Sequence, residues 1–325
     1  MDNGARPRYG NGVRLAHCSD LHLLSLDGAR LLDFANKRWI GGLNLLTNRG
    51  RHYHTEAFED MVADFAVAGI DHVLCTGDVT NLALPQEFRF ARERFDRIGL
   101  GTRGVTVLPG NHDAYIAEGA HHFAEVFADY CTPDDGWAWP APASGDGSDD
   151  LSARWPVVRV RGHAAIVGLS TSHQTPWFTA YGRIGEQQLE RLRRVLADPR
   201  LEGKVRIVAI HHPPAGKRAE NRIRGLKDHA AFAAVLAEVG ADLVLHGHEH
   251  QDLTAELAGP RGARIPVLGV PSGTYEAHRP ERTARYRVIE IEGGRVIGHH
   301  LRLWHRDRRG FAIDTPVART TAANA

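Results

Sequence analysis

Apolar residues along the chain gather in short runs, separated by stretches with helical spacing. The runs are Val13–Ala16, Val73–Cys75, Val105–Leu108, Ala165–Leu169, Val205–Ile210, Leu243–Leu245 and Val267–Val270. Their β-branched content and Gly or Pro boundaries predict buried strands. Between them, Thr55–Ala68 places Phe58, Met61, Val62 and Phe65 on one helical face, and Gly69 offers a stop. Pro85–Ile98 opens with a proline suited to a first turn and repeats Phe88, Ala91, Phe95 and Ile98. Gly185–Leu196 and Asp228–Val239 carry similar stripes. Strands alternating with helices imply an α/β layered domain. Residues 132–156 have no period and hold Pro, Gly, Ser, Asp and Trp, so a surface loop inside one domain is expected there. Residues 306–325, basic and then polar, read as a tail. There is no internal repeat.

A chain of 325 residues with 42% hydrophobic content can bury a large core. Forty Lys and Arg against 39 Asp and Glu leave a net charge of +1, so any preference for anions must be local. No apolar run approaches the roughly 18 residues of a membrane span. The opening Met1–Gly12 is polar and unlike a signal peptide, which predicts a cytoplasmic protein. Three cysteines do not make a disulfide framework, and Cys18 and Cys75 read as small core residues. The unusual count is 20 histidines, whose meaning depends on position.

The polar residues just beyond the apolar runs carry the chemistry. The first run leads to Asp20-Leu21-His22, the second to Gly77-Asp78 and the third to Gly110-Asn111-His112-Asp113. The fifth leads to His211-His212-Pro213-Pro214, and the sixth to His246-Gly247-His248-Glu249-His250. Five strand ends thus deliver oxygen and nitrogen donors that a divalent metal accepts, at the end of an α/β sheet where ligands bind. About one Asp-x-His and about one His-x-His are expected by chance, and His52-Tyr53-His54 is treated as such a coincidence. Gly-Asn-His-Asp is expected roughly 0.004 times, so its presence is a signal.

With every motif in order between residues 13 and 251, the chain resembles the calcineurin-like metallophosphoesterase superfamily. It is most similar to the branch of cyclic-nucleotide and glycerophosphodiester phosphodiesterases, where His-His-Pro-Pro also occurs. The resemblance implies a domain over 13–305 built as a four-layer αββα sandwich, two mixed β-sheets flanked by helices, with a cap-like insertion at 23–54. It implies two divalent metal ions, drawn from Mn, Fe, Zn or Co. Asp20, His22, Asp78 and His250 would hold one, and Asp78, Asn111, His211 and His248 the second, with Asp78 bridging. His211 is preferred to His212 because the family's ligand lies two residues before the proline. His112 would steady the phosphate or protonate the leaving oxygen, with Asn111 and His112 contacting substrate. The implied reaction is in-line attack of a metal-bridging hydroxide on a small phosphodiester, for which Asp78 and His112 are the catalytic candidates. Asp113 orients its loop or bonds an imidazole, His212 is a pocket wall or an outer donor, His246 reads as a core residue, and Asn81 as a turn former.

Two segments bear on substrate. Lys217–Lys227 holds Lys217, Arg218, Arg222, Arg224 and Lys227 and is either a solvated loop or a rim for a second phosphate. Phe34–Tyr53 mixes Lys37, Arg38, Arg49 and Arg51 with Trp39, Ile40, Leu43, Leu45 and Leu46, as a packed cap or a peripheral membrane contact would. That segment loosely resembles the cap of phosphoesterases acting on UDP-diacylglucosamine, so a phospholipid-linked substrate is the alternative to a soluble diester. The resemblance also raises a homodimer, since members with caps often pair. A DNA nuclease would need an extended basic groove that the charge balance does not supply. A non-catalytic scaffold would lack ligands that are all present.

Overall fold

The computed structural model describes residues 12–28, 52–114, 116–139, 154–276 and 282–314. The elements run β1 (Gly12–Cys18), α1 (Thr55–Val67), β2 (His72–Cys75), α2 (Pro85–Phe95), β3 (Val105–Val107) and α3 (Ala117–Val126). They continue β4 (Val157–Arg161), β5 (Ala164–Gly168), α4 (Glu186–Leu196), β6 (Val205–Ala209), α5 (His229–Val239), β7 (Leu243–His246), β8 (Thr254–Ala258) and β9 (Arg264–Gly269). The long antiparallel pair β10 (Arg285–Glu292) and β11 (Arg295–His305) and the short β12 (Gly310–Ile313) are the last elements among the described residues.

Among the described residues the strands form two six-stranded mixed sheets, ordered β12-β11-β10-β1-β2-β3 and β4-β5-β6-β7-β9-β8. Strands β1, β2 and β3 run parallel, as do β5, β6, β7 and β9, so seven carboxyl ends point to one rim. The period of two shows why these strands read as unbroken apolar runs. Ile166, Ile207 and Leu245 pack with Leu15, Val73 and Val107 of the other sheet. Their chain neighbours Val167, Val208 and Val244 pack with Leu189, Leu192, Phe232 and Leu236 of α4 and α5. Phe58, Phe65, Phe88 and Phe95 of α1 and α2 belong to the same core cluster as the first sheet. The result is the expected α–β–β–α layering.

All seven predicted strands and four predicted helices are present, with shifts of a few residues at their ends. The tail expected from residue 306 is folded as far as residue 314: β12 pairs with β11, and Arg285 Nε donates to Asp314 Oδ2 at 2.7 Å. In the expected loop over 132–156, the described ends are anchored, with Trp155 fully buried and Trp139 Nε1 donating to the Pro156 carbonyl at 2.8 Å. Most of the expected cap, including Phe34 and the basic residues Lys37, Arg38, Arg49 and Arg51, lies outside the described residues. Cys18, Cys75 and Cys131 are buried free thiols.

Candidate metal centre

Loops leaving the parallel strands of both sheets are stitched together before any side chain meets. Asp20 N–H donates to the Gly77 carbonyl at 2.9 Å, and Gly247 N–H to that of His211 at 3.0 Å. Gly273 N–H reaches across the sheets to the Ser19 carbonyl at 2.9 Å. The packing is tight enough to require glycine. A Cβ on Gly110 would overlap the nitrogen and Oδ1 of Asp78, and one on Gly247 would overlap Ser19 Oγ. This is the physical content of the glycines that precede the donors in the motifs.

Asp20, His22, Asp78, His248 and His250 all have left-handed backbones, with φ of 54°, 44°, 53°, 70° and 52°. Each such residue costs of order 1–3 kcal/mol and persists only where the surroundings impose it. Their clustering at one rim marks a site built for something other than stability.

The side chains fall into two groups that share one oxygen. In the first, His22 Nε2 lies 3.3 Å from His250 Nε2, His250 Nε2 lies 3.1 Å from Asp20 Oδ1, and His22 Nε2 lies 3.8 Å from Asp78 Oδ2. In the second, Asn111 Oδ1 lies 3.1 Å from His211 Nε2 and 2.8 Å from His248 Nδ1, and His211 Nε2 lies 3.5 Å from the same Asp78 Oδ2. Donors held about 2.1 Å from one ion in a tetrahedron stand roughly 3.4 Å apart, so both groups have the edge lengths of coordination shells. The carboxylates divide their labour alike. Asp20 Oδ2 accepts the His248 N–H at 2.9 Å and Asp78 Oδ1 accepts the His112 N–H at 2.7 Å, while the other oxygen of each faces the cluster. Among the described residues, the buried Asp20 Oδ1 accepts no well-formed hydrogen bond, its neighbour being the His250 ring nitrogen at 3.1 Å. That orphaned oxygen and the imidazole, amide and carboxylate donors fit divalent ions.

Electrostatics agree. Burial would raise the Asp78 carboxyl, but His211, His112 and His22 outweigh it and hold it well below the usual carboxylate range. Asp20 is likewise lowered, against its burial, by His250 and His211. Burial would lower His211, yet Asp78, Asp20 and the bond to the Thr76 carbonyl raise it to about 9, a measure of how strongly two buried carboxylates demand positive charge here. His211 Nδ1–H donates to that carbonyl at 2.8 Å, which turns Nε2 inward. Burial, then His212 and His211, lower His248 well below its ordinary value, so its ring is neutral.

The neighbouring residues sort cleanly. His212 has both ring nitrogens engaged, Nδ1 with Thr171 Oγ1 at 2.7 Å and Nε2 with the Ala180 carbonyl at 3.0 Å, and so leaves the inward position to His211. Asp113 bonds no imidazole among the described contacts. It accepts from Val79 N–H, Thr80 N–H, Thr80 Oγ1 and Gly110 N–H at 2.8–3.2 Å, tying the Asp78 loop to the Asn111 loop. Burial and then Asp78 push its pKa up to about 7. His246 is a core histidine bonded to the Gly247 carbonyl at 2.9 Å. The Asn81 carbonyl accepts Nδ1–H of His112 at 2.8 Å.

Sequence reasoning missed several residues at the cleft. The Tyr53 ring lies 4.7 Å from that of His22 and 5.2 Å from that of Tyr275, so the His-x-His segment that reads as coincidence is part of the site's wall. Tyr275 lies six residues beyond β9, in a stretch that no motif singles out. Of the basic cluster, Arg218 and Arg224 line the cleft; Arg218 is paired with Glu249 and donates to Gln251 Oε1 at 3.0 Å.

The family model described as calcineurin-like phosphoesterase matches residues 13–252. The chain belongs to that family. A probable cyclic nucleotide phosphodiesterase of Rhodococcus erythropolis is 36% identical over 96 residues, which span 29% of this chain and 30% of that protein. Among solved structures, a purple acid phosphatase of yellow lupin (Lupinus luteus) superposes with a TM-score of 0.52 at 13% identity, over 91% of this chain and 54% of the other. A dimetal phosphatase of Danio rerio gives a TM-score of 0.48 at 14% identity, over 89% and 98%. The chain thus spans about half of the lupin structure and under a third of the curated relative. No helix among the described residues is long and apolar enough to cross a membrane.

Proposed function

We propose that the chain is a dinuclear metal-dependent phosphodiesterase acting on a small phosphodiester. Asp20, His22, Asp78 and His250 would hold one divalent ion, and Asp78, Asn111, His211 and His248 the other. The observation that carries this is the place of Asp78 Oδ2, 3.8 Å from His22 Nε2 on one side and 3.5 Å from His211 Nε2 on the other. A shared carboxylate is what two neighbouring dications need between them.

Bound ions of this kind supply a water of lowered pKa and positive charge for the phosphoryl oxygens. The chain's own contribution centres on His112. Its Nδ1–H is committed to the Asn81 carbonyl and its backbone N–H to Asp78 Oδ1, so the bridging carboxylate also sets the ring's position. Nε2 is then the atom that passes a proton to the leaving oxygen, a task suited to an imidazole. Asn111 presents its Oδ1 to His211 and His248 beside that ring, at the cavity where substrate would enter. The Rhodococcus relative is named a probable cyclic nucleotide phosphodiesterase, which supports a small phosphodiester as the substrate class.

The test is hydrolysis of bis-4-nitrophenyl phosphate, cyclic AMP and 4-nitrophenyl phosphate by protein loaded with Mn, Fe, Zn or Co and by chelated protein. Metal-dependent turnover of a diester supports the proposal. Turnover of the monoester alone, or diester turnover that survives chelation, contradicts it.

A further inference from the structure

Two cavities meet at Arg224, His248 and His250, which line both. One, of about 330 Å³, holds Asp78, Asn111 and His112 and is walled by Phe178, Thr179, Ala180 and Ile223. The other, of about 510 Å³, is walled by Tyr53 and Tyr275 and by hydrogen-bonding groups that include His52, Glu249 and Gln251. Of the two, only the smaller includes His112.

The apolar wall is unusual. Phe178 is 77% exposed and Ile223 54% exposed, beside a third exposed apolar side chain, Trp177. Phe178 also has a left-handed backbone, φ 63°, which is an outlier for a bulky residue. Its loop is held in place rather than loose. Thr179 Oγ1 donates to the Pro176 carbonyl at 2.7 Å, Thr175 Oγ1 to the Thr179 carbonyl at 2.9 Å, and Ala180 N–H to the Ile223 carbonyl at 2.9 Å. Exposed large apolar groups, fixed by strained backbone around a polar site, are what a ligand's apolar part would cover.

Resting on the phosphodiesterase reading, we infer that the two cavities sort the two alcohols of an open diester. The leaving alcohol lies in the smaller cavity, with its ester oxygen toward His112 and its apolar body against Phe178 and Ile223. The retained group, polar and ring-bearing, lies against Tyr53 and Tyr275 in the larger cavity, and Arg224 at their junction faces the phosphate. Hydrolysis breaks the P–O bond on the His112 side. The oxygen of water stays on phosphorus, the proton of His112 Nε2 goes to the departing alkoxide, and a proton of the water restores it. The arrangement selects a mixed diester with an apolar or aromatic leaving alcohol over one whose two ester oxygens belong to a single sugar.

The experiment compares thymidine 5′-(4-nitrophenyl) phosphate with cyclic AMP, using metal-loaded wild type and the variants Phe178→Ala, Ile223→Ala and the double variant. Because both side chains are exposed, folding is checked by circular dichroism and metal content. In the double variant, kcat/KM for the aryl ester is expected to fall about tenfold more than for cyclic AMP, the scale of lost apolar contact in a specificity pocket. Tyr275→Ala is expected to raise KM for the nucleoside ester. An unchanged ratio between the two substrates in the double variant overturns the sorting while leaving the phosphodiesterase reading intact. Wild type that hydrolyses neither diester overturns the sorting, and failure on bis-4-nitrophenyl phosphate as well overturns the phosphodiesterase reading itself.

Discussion

His22 Nε2 and His250 Nε2 stand 3.3 Å apart although 228 positions separate them in the chain. Two imidazole nitrogens at that distance repel unless a proton or a cation lies between them. With Asp20 Oδ1 only 3.1 Å from His250, the arrangement is one that a bound cation relaxes.

Metal binding is therefore expected to stabilise the fold. At a free ion concentration one hundred times Kd, a ligand of the native state adds about 2.7 kcal/mol. Thermal unfolding in EDTA should come several degrees below that in Mn or Zn. Identical transitions would show that the five left-handed donors are held without help from a cation.

His112→Ala should retain the metals and lose turnover by about 100- to 10,000-fold, the usual contribution of a positioned proton donor. Metal content and kcat on bis-4-nitrophenyl phosphate check this together. Loss of metal as severe as in an Asp78 variant would make His112 a ligand or a structural prop instead.

Asp113→Asn replaces an acceptor of four hydrogen bonds with a group that must turn an NH2 toward some of the same donors. The cost should be about 1–3 kcal/mol. Lower thermal stability and weaker metal affinity should appear together, because the bonds join the Asp78 and Asn111 loops. Unaltered unfolding would remove Asp113 from the positioning role.

Glu87 is fully buried, with Oε2 accepting the N–H groups of Leu82 and Leu84 at 2.9 and 3.0 Å. Burial raises its pKa from 4.5 to about 8, against the pull of those bonds. The folded state thus favours the protonated form. Its contribution to stability is complete below pH 4.5 and is lost as pH rises through about 8. Glu87→Gln should flatten the decline of unfolding free energy across that window. An equal slope in both proteins would mean that Glu87 does not titrate there.

Much of this was legible in the sequence because the strands that carry the donors are buried on both faces and read as apolar runs. The strands that escaped notice are those with a wet or charged face. Strand β8 alternates exposed and half-buried residues, β11 is half-exposed along most of its length, and β10 carries Arg285 and Arg287 into the interior as ion pairs with Asp314 and Asp252. Charged side chains there hid a strand pattern that only tertiary pairing explains. The donor residues themselves were readable, since glycine before Asp78, Asn111 and His248 reports close backbone approach. The walls of the cleft were not, because Phe178, Ile223 and Tyr53 sit in loops whose meeting depends on long-range bonds such as that from Ala180 to Ile223.

The most direct measurement is metal stoichiometry by elemental analysis after equilibration with excess Mn or Zn, on wild type and on Asp78→Ala. Roughly two ions per wild-type chain, falling below about one in the variant, are expected if one carboxylate serves both shells. A single ion in the wild type, or an undiminished count in the variant, would contradict the dinuclear centre.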